Sequence, residues 1–450
     1  MTAPTLTPLE PWVCRRIGAP EGRPLERRDL AAYQLAALNR TLAHARQNSP
    51  FYRERLNGMP PRLATLDAVA ALPFTTMDDL RRDPMALLCV SRDRIARAVT
   101  LQTSGTTGSP KRLFFTMADL ERTVDFFHHG MATLVAPGQR VLILLPGALP
   151  DSVGDLLAKG LARMAVEGIV HGPVSDPAAA VAAARAAKAD ALVGIPVQVL
   201  AMARHADGPR LAGRIRSVLL TTDHVPGAIV EAIEGAWGCR VFRHYGMTEM
   251  GLGGAVECAA RRGYHFREAD LLVEIVDPRT RQPLPDGRPG EIVFTTLTRE
   301  GMPLIRYCTG DVAAFRLAPC TCGTTLRTLG AIRGRWCDRI APGARETLFI
   351  GHLDEALFGV PDVLDYRGEI HPAGAGADRL TLFVTACPGA WSDAMAECLR
   401  RQALAVPALA EASREGLLHL AVEPDTRGGP PSTGTAKRRI HTRSERNREP

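Results

Sequence analysis

Thr103-Ser-Gly-Thr-Thr-Gly-Ser-Pro-Lys111 packs five hydroxyl side chains and two glycines between a run ending at Leu101 and the apolar run Leu113–Phe115. A loop of this composition can turn its amide N–H groups and hydroxyls inward around a phosphate chain, and Lys111 adds a positive charge. It lacks the G-x-x-x-x-G-K-[ST] spacing of the helix-opening phosphate loop. A plain Gly/Thr-rich hairpin turn is the competing reading. The choice between them depends on partners elsewhere in the chain.

Four further stretches supply such partners. His244-Tyr-Gly-Met-Thr-Glu249 follows an expected strand, and a carboxylate on that turn can hold a nucleotide-bound Mg²⁺, with Thr248 beside it. In Tyr307-Cys-Thr-Gly-Asp311 an acid just past a glycine can accept both hydroxyls of a ribose. Gly334-Arg-Trp-Cys-Asp338 stands where a second, smaller unit begins, and Pro431-Ser-Thr-Gly-Thr-Ala-Lys437 lies near the end. Singly, each is as readily a solvated turn. Their order and separation argue for one site.

At 450 residues, 46% hydrophobic and 23% charged, the chain has ordinary globular composition and is long enough for two or three domains. No apolar run reaches the roughly 18 residues of a membrane span, and Met1–Glu10 lacks the pattern of a secretion signal. The ten cysteines are scattered, as in a cytoplasmic protein. Of the net charge of +7, six Lys/Arg and one Glu between Lys437 and Arg448 carry +5. That run reads as a solvated terminus, and no nucleic-acid partner is expected.

Helical periodicity runs through 26–56, broken at Asn48-Ser-Pro-Phe-Tyr52. From 140 onward short apolar runs (Val141–Leu145, Gly168–Val170, Ala191–Ile195, Ser217–Leu220, Arg240–Arg243) alternate with helices, the pattern of parallel strands with crossovers. From 271 the pattern becomes antiparallel, with strands expected at Leu271–Val276, Glu291–Thr296 and Leu304–Tyr307. The expected fold is α/β: a large N-terminal domain (1–335) of mixed and parallel sheets with helices and a β-rich part. A small mobile α+β C-terminal domain (336–450) completes it.

Together these stretches resemble the adenylate-forming superfamily of acyl-CoA synthetases and peptide-synthetase adenylation domains, most closely its phenylacetate–CoA ligase branch. Asn48-Ser-Pro-Phe-Tyr52 and Leu72-Pro-Phe-Thr-Thr-Met-Asp-Asp-Leu80 extend the similarity upstream. The resemblance implies that ATP and Mg²⁺ activate a small carboxylic acid as its adenylate and that CoA then displaces AMP. Thr103, Ser104, Gly105, Thr106, Thr107, Gly108 and Lys111 would hold the β- and γ-phosphates. Thr248 and Glu249 would serve the α-phosphate and metal, with His244, Tyr245 and Gly246 on the nucleotide side. Asp311 would take the ribose, with Arg335 near it, and Thr222 and Asp223 stand on the adenine-side segment. Lys437 would bridge carboxylate and α-phosphate, and the C-terminal domain would turn about Arg335–Asp338 between half-reactions.

The chain departs from the family pattern in several places. Cys337 occupies the usual hinge Asp position, and Ala341-Pro-Gly-Ala-Arg-Glu-Thr replaces a Gly-rich segment. Thr221-Thr-Asp-His-Val-Pro226 replaces the small-residue adenine strand, and Ala436 rather than Gly precedes Lys437. These changes bear on the acceptor. A carrier-protein thiol, an amine or a cofactor hydroxyl stands as the alternative to CoA, and a nucleotide-binding protein without turnover as a third reading. An aromatic or compact apolar acid is the expected substrate, and a monomer or homodimer the expected assembly.

Cys258, His265, Cys320 and Cys322 offer three thiolates and an imidazole, a set suited to a closed structural Zn²⁺; buried, metal-free cysteines are the other reading. His128 and His129 read more readily as packing than as an acyl-pocket wall, to which Pro146-Gly147 and Asp151–Gly154 could contribute. No G-x-S-x-G elbow is present, which disfavours a serine hydrolase.

Overall fold

The computed structural model describes residues 5–20, 22–101, 110–338, 347–373, 376–426, 438 and 440–442. Among them are 12 α-helices and 18 strands in a mixed α/β arrangement. The chain divides into two compact units. One comprises Met1–Gln139, Gly147–Gly168 and Phe242–Ala331; the other comprises Arg140–Pro146, Ile169–Val241 and Ile332–Pro450.

In the first unit the helix Arg27–Asn48 buries Leu30, Leu38, Leu42 and Ala45 along one face. Ser49 is extended and ends it, and the Ser49 hydroxyl then caps the helix Pro50–Arg55 by accepting from Tyr52 N at 3.2 Å. The sequence break at 48–52 is therefore a cap between two helices. Tyr52 is fully buried, and its hydroxyl accepts from Ile305 N at 3.0 Å, tying this helix to a segment some 250 residues away. Around it Leu38, Leu42, Leu56, Leu72, Leu297 and Ile305 form a core, each large apolar side chain contributing about 1.5–3 kcal/mol by leaving water.

The strands Arg97–Leu101 and Lys111–Phe115 pair antiparallel, with Leu101 opposite Lys111. They flank residues 102–109, which lie outside the described residues. Thr116 then opens the helix Met117–Met131 with a capping box completed by Asp119.

The antiparallel reading from 271 holds, with one displacement. Leu271–Val276 pairs with Gly290–Thr296, and that strand with Tyr307–Ala313. The third strand starts where the expected Leu304–Tyr307 strand ends. Thr309-Gly310-Asp311, a turn by sequence, is a bulge inside it: the register slips between Glu291 and Val293, and Gly310 adopts a left-handed φ of 78°. A second antiparallel set joins His244–Tyr245 to Ala255–Glu257, that strand to Tyr264–Phe266, and the latter to Thr328–Leu329.

In the second unit Arg140–Ile143, Ala191–Gly194 and Ser217–Leu220 are parallel neighbours in that order. Their crossover helices include Pro177–Ala186, Pro196–Arg204 and Gly227–Trp237. The strands are short and nearly all buried, as strands covered on both faces must be. Further on, Val363–His371 and Asp378–Ala386 pair antiparallel, with Leu418–Pro424 and Ile440–Thr442 added parallel at either side. Asp393–Leu404 and Pro407–Arg414 are helices of the same unit. No helix among the described residues is long and apolar enough to cross a membrane.

Candidate active site

The strand Arg240–Tyr245 delivers its last residues into a sharp turn, and Thr248–Met250 forms a single 3-10 turn closed by Gly251. Gly251 is left-handed, with φ at 80°. A Cβ there would lie 3.1 Å from guanidinium nitrogens of both Arg267 and Arg299. Glycine is thus required by backbone conformation and by close approach together.

Glu249 sits on this turn, 3% exposed. Its Oε1 accepts from Lys111 Nζ and, at 3.1 Å, from the Tyr307 hydroxyl. Burial pushes the carboxyl up. The Lys111 charge and hydrogen bond, with those of the Glu249 backbone and Tyr307, more than reverse this and hold it below the ordinary carboxylate range. The group is an anion with a cation already against it.

Asp311 is also buried, and its Oδ2 accepts from the Tyr245 hydroxyl at 2.9 Å. Strand Tyr307–Ala313 and segment 244–251 are therefore linked at two points, Tyr307 to Glu249 and Tyr245 to Asp311. Asp311 N donates to Thr309 Oγ1 at 3.0 Å across the bulge, which fixes how the acid leaves the strand. His244 is pushed down to about 4 by its burial and then by the Arg267 charge, so its imidazole is neutral at ordinary pH.

Lys111, His244, Tyr245, Gly246, Thr248, Glu249 and Asp311 thus share the first unit, with the links above joining four elements. Residues 103–108 and Lys437 lie outside the described residues. Thr222, Asp223 and Arg335 belong to the second unit. Thr222 holds a left-handed φ of 80°, a strained conformation for a β-branched residue. Asp223 Oδ2 accepts from Arg438 Nε at 3.2 Å. The same guanidinium grips Asp354 through Nη1 at 2.8 Å and Nη2 at 3.1 Å. Asp354 also takes His224 Nδ1 at 2.8 Å and the Tyr366 hydroxyl at 2.6 Å. Neither Asp354 nor Arg438 had a signal in the sequence beyond charge.

Cys258, His265, Cys320 and Cys322 come together, all buried, with their ligand atoms within 4.8 Å of one another. Cys258 Sγ and Cys320 Sγ are 3.6 Å apart, and Cys322 Sγ is 3.7 Å from His265 Nε2. A tetrahedral Zn²⁺ with Zn–S of about 2.3 Å and Zn–N of about 2.0 Å spaces two sulfurs by about 3.8 Å and sulfur from nitrogen by about 3.6 Å. The set fits. The other imidazole nitrogen, Nδ1, faces Arg327 O at 3.4 Å, the outer partner that leaves Nε2 for a metal.

His129 is engaged otherwise: Nδ1 with Asp125 O at 2.9 Å, Nε2 with Arg15 Nη2 at 2.8 Å, its ring stacked on Trp12. It has a packing role. Asp151 of the 151–154 segment takes Lys159 at 2.8 Å.

The model of the family described as AMP-binding enzyme matches residues 78–297. The phenylacetate-coenzyme A ligase of Thermus thermophilus is 31% identical over 359 residues, covering 77% of this chain and 79% of its own length. That of Aromatoleum evansii is 32% identical, covering 69% and 72%. In fold, the chain is similar to a 2-hydroxyisobutyryl-CoA ligase crystallised in its postadenylation state, with a TM-score of 0.76 at 22% identity over 93% of this chain and 90% of the other.

Proposed function

The chain belongs to the phenylacetate–CoA ligase family of AMP-binding enzymes, and from that premise we propose how its own residues carry out the reaction. It is an ATP-dependent, AMP-forming acid–CoA ligase. A carboxylate oxygen attacks the α-phosphorus of ATP, the bond to the β-phosphate oxygen breaks, and pyrophosphate leaves. The thiolate of CoA then attacks the acyl carbonyl of the adenylate, and AMP leaves with the original carboxylate oxygen.

The first step brings two anions together, so the site must supply cations and N–H or O–H donors around the phosphates. Residues 103–108 with Lys111 take the β- and γ-phosphates. Thr248 and Glu249 serve the α-phosphate side, where Glu249 is an oxygen ligand of the kind Mg²⁺ accepts; the metal, when bound, neutralises phosphate charge. Asp311 binds the ribose hydroxyls, oriented by Tyr245, and Arg335 is a further nucleotide-binding residue. Thr222 and Asp223 lie on the adenine side, and Lys437 bridges carboxylate and α-phosphate. Residues 336–450 act as the lid that turns about Arg335–Asp338. Cys258, His265, Cys320 and Cys322 would hold a structural Zn²⁺, its four positions filled by protein ligands. The free cysteines accord with a cytoplasmic location.

The observation that carries this reading is the double link between the Glu249 turn and the Asp311 strand, with Lys111 on Glu249. The substrate is an aromatic or compact apolar acid. A panel of acids in the ATP–pyrophosphate exchange assay tests it. Exchange with phenylacetate or a similar acid, followed by CoA consumption, supports the reading; exchange without CoA consumption moves the acceptor elsewhere, and no exchange with any acid removes the activity.

A further inference from the structure

The carbonyl end of the Glu249 turn is gripped from three directions. Arg299 Nη1 donates to Glu249 O at 2.7 Å, Arg267 Nη2 to Met250 O, and Thr123 Oγ1 to Gly251 O at 2.8 Å. Three consecutive carbonyls each have a buried side-chain donor. The donors come from the helix Met117–Met131, from the residue after strand Tyr264–Phe266, and from the segment after Gly290–Thr296. Each guanidinium is held in turn by a ring, Arg267 over Phe126 at 5.3 Å and Arg299 over Phe115 at 5.0 Å.

Burying two guanidiniums side by side is costly in stability. Their positive charge lies at the C-terminal, carbonyl end of the turn, where a cation is favoured, and Gly251 leaves them room to reach it. By contrast Lys111 begins the strand Lys111–Phe115 next to residues 102–109, and its ammonium reaches Glu249 through a flexible four-carbon stem. Both backbones are anchored, Lys111 in the ladder opposite Leu101 and Glu249 in the gripped turn, but the carboxylate has the shorter stem and the ammonium the longer, more flexible reach.

We propose that Thr123, Arg267 and Arg299 are positioning residues that keep the Glu249 carboxylate stationary, so that Mg·ATP takes Lys111 away from it and the metal arrives at a preformed ligand. This rests on the reading of Glu249 as the metal-side carboxylate. The exchange is charge-balanced: the ammonium goes to phosphate oxygens, and the divalent ion replaces it at Glu249. A carboxylate held in place has no reorganisation to undergo when the metal binds.

The test is Mn²⁺ affinity, read by electron paramagnetic resonance in the presence of the α,β-methylene analogue of ATP, which cannot transfer its adenylyl group. Thr123→Val keeps the shape and removes the donor; Thr123→Ser restores it. The expected result is an Mn²⁺ affinity about tenfold weaker for Val and recovered to within about twofold by Ser. Arg299→Met is expected to weaken it further and Arg299→Lys to recover part. Thermal melts of the same variants separate a fold effect. A lowered Tm with unchanged Mn²⁺ affinity in Thr123→Val overturns the proposal. Glu249→Gln isolates the premise: unchanged Mn²⁺ affinity there removes the metal reading itself. Weakening by Gln but not by Val overturns only the positioning role.

Discussion

Lys111 Nζ and Glu249 Oε1 form a partly buried ion pair, with side chains 16% and 4% exposed, that joins the first strand after the Thr/Gly-rich segment to the turn after strand Arg240–Tyr245. A carboxylate so paired gives up one cation to take another. Divalent cation alone is therefore a poor ligand for this site. Mn²⁺ titrated without nucleotide should show no saturable site below about millimolar concentration in the wild type. Lys111→Met, at a pH where Glu249 is ionised, should create one that Glu249→Gln abolishes. Micromolar binding by wild type that Glu249→Gln abolishes would contradict the pair's role.

The Tyr245–Asp311 bond predicts a selective loss. Tyr245→Phe leaves Asp311 without its 2.9 Å donor while keeping the ring. The KM for ATP should rise about tenfold, worth about 1.4 kcal/mol, with the KM for the acid unchanged. Asp311→Asn should cost more. Steady-state kinetics with each substrate varied in turn distinguishes this from a general loss, in which both constants move.

In the second unit, Arg438 bridges Asp354 and Asp223 from a nearly buried position. Removing one partner strands a buried charge, so Arg438→Met should lower stability by about 3–5 kcal/mol. Urea unfolding measures it. The pH dependence has a definite sign. Burial pushes the Asp354 carboxyl up, but Arg438, His224 and Tyr366 together hold it below its ordinary value. Its stabilising contribution is therefore full above the unfolded carboxylate pKa of about 3.9 and disappears as pH falls through the lower folded value. Asp354→Asn should flatten this acid limb, at lower stability throughout the neutral range.

The cysteine cluster predicts one Zn²⁺ per chain by elemental analysis. Cys320→Ser should lose it, and a strong chelator should lower the Tm of wild type but not of the variant. Purified protein without zinc, and indifferent to chelator, would contradict the assignment.

Local signals carried much of the fold. Ser217–Leu220 and Leu271–Val276 begin and end where the apolar runs put them, because their own apolar spacing sets those limits. Tyr307–Ala313 did not, since the bulge at Gly310 depends on pairing with Glu291–Val293 rather than on its own sequence. Glu249 and Asp311 were legible as acids on motifs. Their hydroxyl partners, Tyr307 and Tyr245, were not, because each bond spans about 60 residues of chain. Arg299 and Arg267 stand on no motif, and only tertiary packing buries them against consecutive carbonyls.

The fate of the carboxylate oxygen tests adenylation most directly. The purified enzyme is incubated with ATP, CoA and an acid labelled with ¹⁸O in both carboxylate positions, and the products are read by mass spectrometry. Attack on the α-phosphorus followed by thiol displacement predicts one labelled oxygen in AMP and none in pyrophosphate. Label in a β- or γ-phosphate product, or thioester formed with unlabelled AMP, would contradict it.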